Sequence, residues 1–239
     1  VEHGVGHFLG EDEVAATARQ ERKRPGPALR CGPRLQPDEG GGRPVLFVHG
    51  YWGAAPDFRG LRRAVSALGR PTYSVGLGSL HAPIESSARV LATHLIRLVD
   101  RYRDRDGIDI VAHSMGGLVV RRALMDHPEL AERVKTLVTL GSPHAGTAAA
   151  RGYVVGANVR QMRRRAPFLD ELAPLDRCCP RAHVVTVSAE LDAIVYPRES
   201  CHLPCAEQVD LRGVGHSGLL VHRRAVEVVL RALTEESTS

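Results

Sequence analysis

The stretch Ile108-Asp-Ile-Val-Ala-His-Ser-Met-Gly-Gly117 decides the fold. Its first residues form an apolar, β-branched run, and from Met115 to His127 the apolar spacing turns helical until Pro128 stops it. The chain is therefore expected to leave a strand, turn sharply at Ser114 and enter a helix. Such a turn pushes a serine Oγ out of the backbone, where it can act as a nucleophile, and it tolerates only small residues two positions either side. Those positions are Ala112 and Gly116, giving A-x-S-x-G in place of the commoner G-x-S-x-G, with one extra methyl at a crowded point.

Working outward, short β-rich runs alternate with helical spacing from Arg43 onward. Strands are expected at Val45–Val48, Thr72–Gly76, Ile108–Ala112, Thr136–Leu140, His183–Ser188 and Gln208–Leu211. Ala88, Leu91, Leu95, Leu98, Val99 and Tyr102 fall on one helical face between the second and third of these. Alternation of this kind implies right-handed crossovers and a mostly parallel sheet, helices on both faces, with chemistry beyond the carboxyl ends of the strands. Residues 1–43 read as an extension or linker, with a charged helix candidate at Glu11–Arg24 ahead of a Pro/Gly-rich stretch. Residues 44–239 form the expected domain. The long interval near 145–181 carries one expected helix, Asn158–Leu172, and reads as a small cap whose apolar face is too narrow for a large lid.

A chain of 239 residues, 43% of them hydrophobic, is long enough for one such domain. The formal charge of +5 does not point to nucleic acid. Its source is almost entirely arginine, Lys23 and Lys135 being the two lysines, and the densest run, Arg160-Gln-Met-Arg-Arg-Arg165, has no interleaved aromatics to stack bases. That run reads as a solvated helix face. No stretch approaches the roughly 18 apolar residues that cross a bilayer. Val1 opens the chain with no charged-then-apolar signal, so such a segment is either removed or absent.

A serine nucleophile needs a base, and the base a carboxylate to fix its tautomer. On a sheet of this kind the order is serine, acid, histidine. His216, in Gly213-Val-Gly-His-Ser-Gly218, follows the last expected strand and is the base candidate among twelve histidines. For the acid, Asp192 is favoured over Glu190 because Ile194 and Val195 can pack under the sheet edge and hold its loop, and Asp210 is the competitor inside a strand. Oxyanion donors are expected at the backbone N–H of Met115 and of Tyr51, the latter turned in by Gly50. His49, beside that glycine, reads as a structural hydrogen-bond former.

Five cysteines, Cys31, Cys178, Cys179, Cys201 and Cys205, leave at least one unpaired within the chain. Their clustering either side of the strand ending at Ser188 suggests a bridge from Cys178 or Cys179 to Cys201 or Cys205, which slightly favours a secreted or cell-surface location. Zinc on that group with His202 has no C-x-x-C spacing behind it.

Ile108–Gly117, Val138-Thr-Leu-Gly-Ser-Pro-His-Ala-Gly-Thr147 and Arg212-Gly-Val-Gly-His216 together resemble the bacterial lipases of the α/β-hydrolase superfamily, especially small Bacillus-type lipases and actinobacterial esterase/lipase proteins. The resemblance covers about residues 44–235. It implies a six-stranded α/β-hydrolase fold, Ser114 as nucleophile, His216 as acid/base, Asp192 as its orienter and Tyr51 with Met115 as oxyanion hole. The expected substrate is an ester or lipid, met by transient contact with a lipid surface, with no organic cofactor and no metal site; substrate preference and any metal requirement do not carry over from the resemblance, because the segment between Gly146 and Arg181 and the cysteine group stand outside the family's minimal pattern. Acyl transfer, thioester or amide hydrolysis, and a non-catalytic protein of the same fold stay open as alternatives, and the oligomeric state is left open.

Overall fold

The computed structural model describes residues 30–31, 41–51, 53–79, 81–151, 156–172 and 181–235. The Glu11–Arg24 helix candidate, Trp52, Cys178 and Cys179 lie outside them. Seven strands form one sheet: β1 Arg30–Cys31, β2 Val45–Val48, β3 Thr72–Val75, β4 Ile108–His113, β5 Val134–Leu140, β6 His183–Ala189 and β7 Glu207–Leu211. Their order is β1-β3-β2-β4-β5-β6-β7, parallel from β3 to β7, with β1 antiparallel at the edge. The six expected strands are all present. The addition is β1, contributed by the stretch read as an extension, whose Arg30 and Cys31 pair with Ser74 and Tyr73.

Every residue of β2, β3 and β4 is buried, as the continuous apolar runs of a sheet covered on both faces require. The described helices are α1 Arg59–Ser66, α2 Ile84–Arg101, α3 Met115–Asp126, α4 Pro128–Ala131, α5 Ala157–Gln161, α6 Pro167–Glu171 and α7 Arg223–Thr234. Alternation along β4 divides the core. Ile110 and Ala112 pack with Leu91, Leu95 and Leu118 of α2 and α3 on one face. Val111 packs with Leu61, Val65 and Val229 of α1 and α7 on the other. Ile84, Leu91, Leu95 and Leu98 are fully buried on α2, each stabilising by about 1.5–3 kcal/mol. Pro128 does end α3, and it also occupies the first turn of α4, where its missing N–H has no helical use.

The expected single helix over Asn158–Leu172 is instead two short helices, α5 and α6. Pro167 is the cause: it disfavours the helical region for the residue before it, and Ala166 sits extended at φ −68, ψ 136. The amphipathic division expected of the segment survives this break. Met162, Phe168 and Leu172 are buried, Leu169 is half-buried, and Arg160, Arg163, Arg164 and Arg165 are exposed.

At the amino edge of the sheet Asp109 is fully buried between Arg43, 3.3 Å away, and Arg70. Arg70 also donates to the Arg43 and Leu233 carbonyls at 2.9 and 2.8 Å. This ion pair ties β4, β2 and the end of α7 together, far from the carboxyl edge where Ser114 emerges.

Candidate active site

β4 lies at the middle of the sheet between β2 and β5, so the residue after His113 leaves at the crevice where the strand order reverses. Ser114 has φ 56 and ψ −130, a left-handed conformation that costs of order 1–3 kcal/mol in a non-glycine residue. Its N–H donates to the Leu140 carbonyl at 2.8 Å and its carbonyl accepts from the Gly117 N–H at 3.1 Å. Small neighbours are a steric necessity here. A Cβ on Gly116 would stand 2.5 Å from the Val48 oxygen, and one on Gly50 would stand 2.6 Å from Ser114 Cβ and 3.1 Å from its Oγ. The loop after β2 therefore presses directly on the serine. Ser114 is 7% exposed, and among the described residues its Oγ makes no hydrogen bond.

Of the three carboxylates weighed from sequence, Asp192 is the one that reaches His216. Its Oδ2 accepts from His216 Nδ1 at 2.7 Å, and its Oδ1 accepts from the backbone N–H groups of Ile194 and Val195, each at 2.8 Å. Burial alone would push the Asp192 carboxyl up. The hydrogen bond and charge of His216 and the two backbone donors outweigh it, so the group is held below the usual aspartate range and stays ionised. The loops that carry Asp192 and His216 are laced together, Glu190 N–H to Leu211 O and Leu191 N–H to Val214 O, both at 2.9 Å. Val195 is buried beneath the edge, but Ile194 is 52% exposed, and backbone N–H groups rather than side-chain packing fix the carboxylate. Glu190 accepts from the Gly213 N–H, while Asp210 is engaged by Ser188 and by His202 at 3.0 Å.

His113 is a site residue that sequence reasoning missed. Its ring packs on that of His216 with centroids 4.7 Å apart, and its Nε2 donates to the His216 carbonyl at 3.4 Å. Burial, aided by the nearby His216, pushes its pKa down to about 3, so it is a neutral buttress behind the His216 ring. No spacing signal could have paired two residues 103 positions apart. His144 is fully enclosed as well, its Nε2 against Thr139 Oγ1 at 3.0 Å, and burial holds it well below the usual histidine range. Thr147, from the same segment, donates through Oγ1 to Ile194 O at 2.7 Å and accepts from Tyr196 N–H at 3.1 Å, bracing the loop that carries Asp192.

Met115 is the first residue of α3, where backbone N–H groups have no partner within the helix. Tyr51 is half-buried on the loop whose Gly50 touches Ser114. His49 has the structural part expected of it: Nδ1 donates to Gly50 O at 2.9 Å and Nε2 accepts from Leu77 N–H at 3.4 Å.

Cys201 is buried and Cys205 exposed, and both are free thiols. Among the described residues this runs against the expected bridge, whose other halves, Cys178 and Cys179, lie outside them. Burial pushes the Cys201 thiol up to about 12, which keeps it protonated and inert. The group of described residues with metal-like spacing is His183, Glu207 and Glu235. It is largely exposed, and Arg231 pairs with both carboxylates, which accounts for the gathering. Two open clefts, of about 540 and 510 Å³, flank the 157–172 segment and share Arg160, Ala166 and Pro167. Ser114, Asp192 and His216 line neither.

A family model described as a domain of unknown function, DUF7379, matches residues 16–195. The chain belongs to that family. It is also similar to the uncharacterized protein YJR098C of Saccharomyces cerevisiae, 37% identical over 60 residues, a match that spans 25% of this chain and 9% of the yeast protein. Among solved structures it is similar to the mature lipase BlEst2 of Bacillus licheniformis, with a TM-score of 0.73 and 16% identity over 87% of this chain and 98% of that one. Aspergillus fumigatus lipase B gives a TM-score of 0.77 at 16% identity, over 98% of this chain and 59% of the other. Phospholipase PlaB of Legionella pneumophila gives 0.64 at 14%, over 83% and 60%. At these identities the likeness is one of fold, and this DUF7379 member has the α/β-hydrolase fold shared by lipases and esterases.

Proposed function

We propose that the protein is a serine carboxylic ester hydrolase that works through an acyl-enzyme on Ser114. The observation that carries this reading is the 2.7 Å hydrogen bond from His216 Nδ1 to Asp192, beside a serine held at φ 56 on the strand-to-helix turn. With its proton on Nδ1, donated in the hydrogen bond to Asp192, the neutral ring keeps its lone pair on Nε2 and can take the Ser114 proton as Oγ attacks the ester carbonyl. Asp192 stays ionised and stabilises the imidazolium that results. The N–H groups of Met115 and Tyr51 face the developing oxyanion, each worth about 3 kcal/mol. His216 then returns the proton to the leaving alcohol, and water repeats the sequence in reverse to release the acid.

Residues 44–239 make up the proposed catalytic domain, to which Arg43 and the edge strand β1 are added from the preceding stretch, with the segment near 145–181 as a small cap. Because its apolar side chains already pack down and its arginines stay wet, soluble esters are expected to turn over without interfacial activation. The test is turnover of p-nitrophenyl esters from acetate to palmitate. Ser114→Ala should fold normally and lose at least about 10³-fold, and a fluorophosphonate should label the native protein at Ser114. Labelling of the alanine variant at the native rate would refute the assignment.

A further inference from the structure

Five arginines, Arg151, Arg160, Arg163, Arg164 and Arg165, line one of the open clefts, which has a volume of about 510 Å³. No carboxylate lines it among the described residues. Of the five, Arg163 has a partner within the protein, donating through Nε to Ala150 O at 3.1 Å, and none makes an ion pair among the described residues. Arg160 lies in α5, Arg163, Arg164 and Arg165 follow in the break before α6, and Arg151 joins them from the 3-10 turn Ala148–Arg151. Guanidinium groups concentrated in this way repel one another unless an anion from outside bridges them. Their planar forks suit phosphate oxygens.

A second observation adjoins the first. Six large hydrophobic side chains are exposed among the described residues, and four of them border the acid and base loops: Leu191, Ile194 and Tyr196 after β6, and Val221 after the His216 loop. Thr147 connects the two features. Its N–H donates to Met162 O at 2.7 Å, and it pairs with Arg163, while its Oγ1 holds Ile194 and Tyr196. The arginine cleft and the apolar rim thus share the carboxyl edge of the sheet with Ser114. A soluble anion would need only the arginines, and a single-stranded nucleic acid would want a row of aromatic platforms, of which Tyr196 is the one exposed aromatic ring on this rim among the described residues. Phosphate above and apolar surface below is the layering of a phospholipid interface.

We propose that this edge docks on an anionic phospholipid surface, with headgroup phosphates in the arginine cleft and Leu191, Ile194 and Tyr196 in the interfacial layer. The purpose of docking, bringing a lipid ester to Ser114, rests on the hydrolase reading, whereas docking itself needs no turnover. The test therefore uses Ser114→Ala protein sedimented with vesicles of phosphatidylcholine alone, or of lipid that is about one third phosphatidylglycerol. Partition onto the anionic vesicles and not the neutral ones is expected, weakening as salt is raised. Replacing Arg160, Arg164 and Arg165 together by Gln should weaken it about 100-fold, at roughly fivefold per arginine, with an unchanged circular dichroism spectrum. Leu191→Ser with Tyr196→Ser should weaken it independently. Equal partition onto both vesicles, full partition by the arginine variant, saturation of the cleft by millimolar inorganic phosphate with no vesicle binding, or tighter retention on single-stranded RNA would each overturn the proposal. Ester turnover by the unmodified protein is scored separately, so a failed hydrolase reading and a failed docking surface give different results.

Discussion

Lowering the pH from 7 to 5 should destabilise the protein, and His113 sets a calculable part of the loss. In the unfolded chain its pKa is near 6.5, and in the folded protein burial behind His216 pushes it down to about 3. The depressed value means that the unfolded chain takes up the proton first. The stability that the neutral ring contributes is therefore intact above about pH 6.5, drains away as pH falls towards 3, and changes no further below that. At about 1.4 kcal/mol per unit, integration from pH 7 to 5 gives a loss of about 2 kcal/mol from His113 alone. His144 and His94, both shifted down chiefly by burial, act in the same sense. Asp192 does not interfere, since its carboxyl is shifted below the ordinary value of 3.8 and its contribution is lost only as pH falls through that lower range. The assay is urea unfolding followed by circular dichroism at the two pH values, on the native protein and on His113→Phe, which keeps a ring against His216 and removes the titration. The pH-dependent loss should shrink by about 2 kcal/mol in the variant. If both proteins lose the same amount, His113 is not the buried neutral group described.

Asp192→Asn should lower kcat by about 10⁴, by favouring the wrong imidazole tautomer, while Glu190→Gln and Asp210→Asn stay within about tenfold of native. A crippled Glu190→Gln in the p-nitrophenyl ester assay would reassign the acid. Asp109→Ala leaves the buried Arg70 guanidinium unpaired and should cost about 3–5 kcal/mol, seen in calorimetry as a fall of roughly 6–20 °C in Tm; an unchanged Tm would mean that the pair carries no net stability. Gly50→Ala sets a methyl 2.6 Å from Ser114 Cβ and 2.9 Å from the His113 oxygen, so the loop or the serine must shift. A displacement near 1 Å should cost about 10²-fold in turnover, and native activity would show that the loop after β2 has slack.

The parallel sheet was legible because each of its six long strands is an apolar run flanked by turn residues, and such runs report their own burial. β1 was not, since two residues set among prolines and glycines carry no period and are recruited by the free edge of β3. Apolar spacing runs across Pro167 and predicts one helix over Asn158–Leu172, whereas the backbone before a proline cannot continue it. Ser114, Asp192 and His216 could be singled out from strand ends and chain order. His113 and Thr147 could not, because what they do depends on partners 103 and 47 residues away.

Thr147 bears on how this fold can be re-engineered. Thr147, 4% exposed, holds the Asp192 loop at Ile194 and Tyr196 through its hydroxyl, while its backbone N–H holds Met162 within the arginine-rich segment. The two therefore behave as a single module and not as independent loops. A chimera that imports residues 148–172 from another hydrolase will register correctly only if a hydroxyl is retained at 147 and residues 190–197 travel with it.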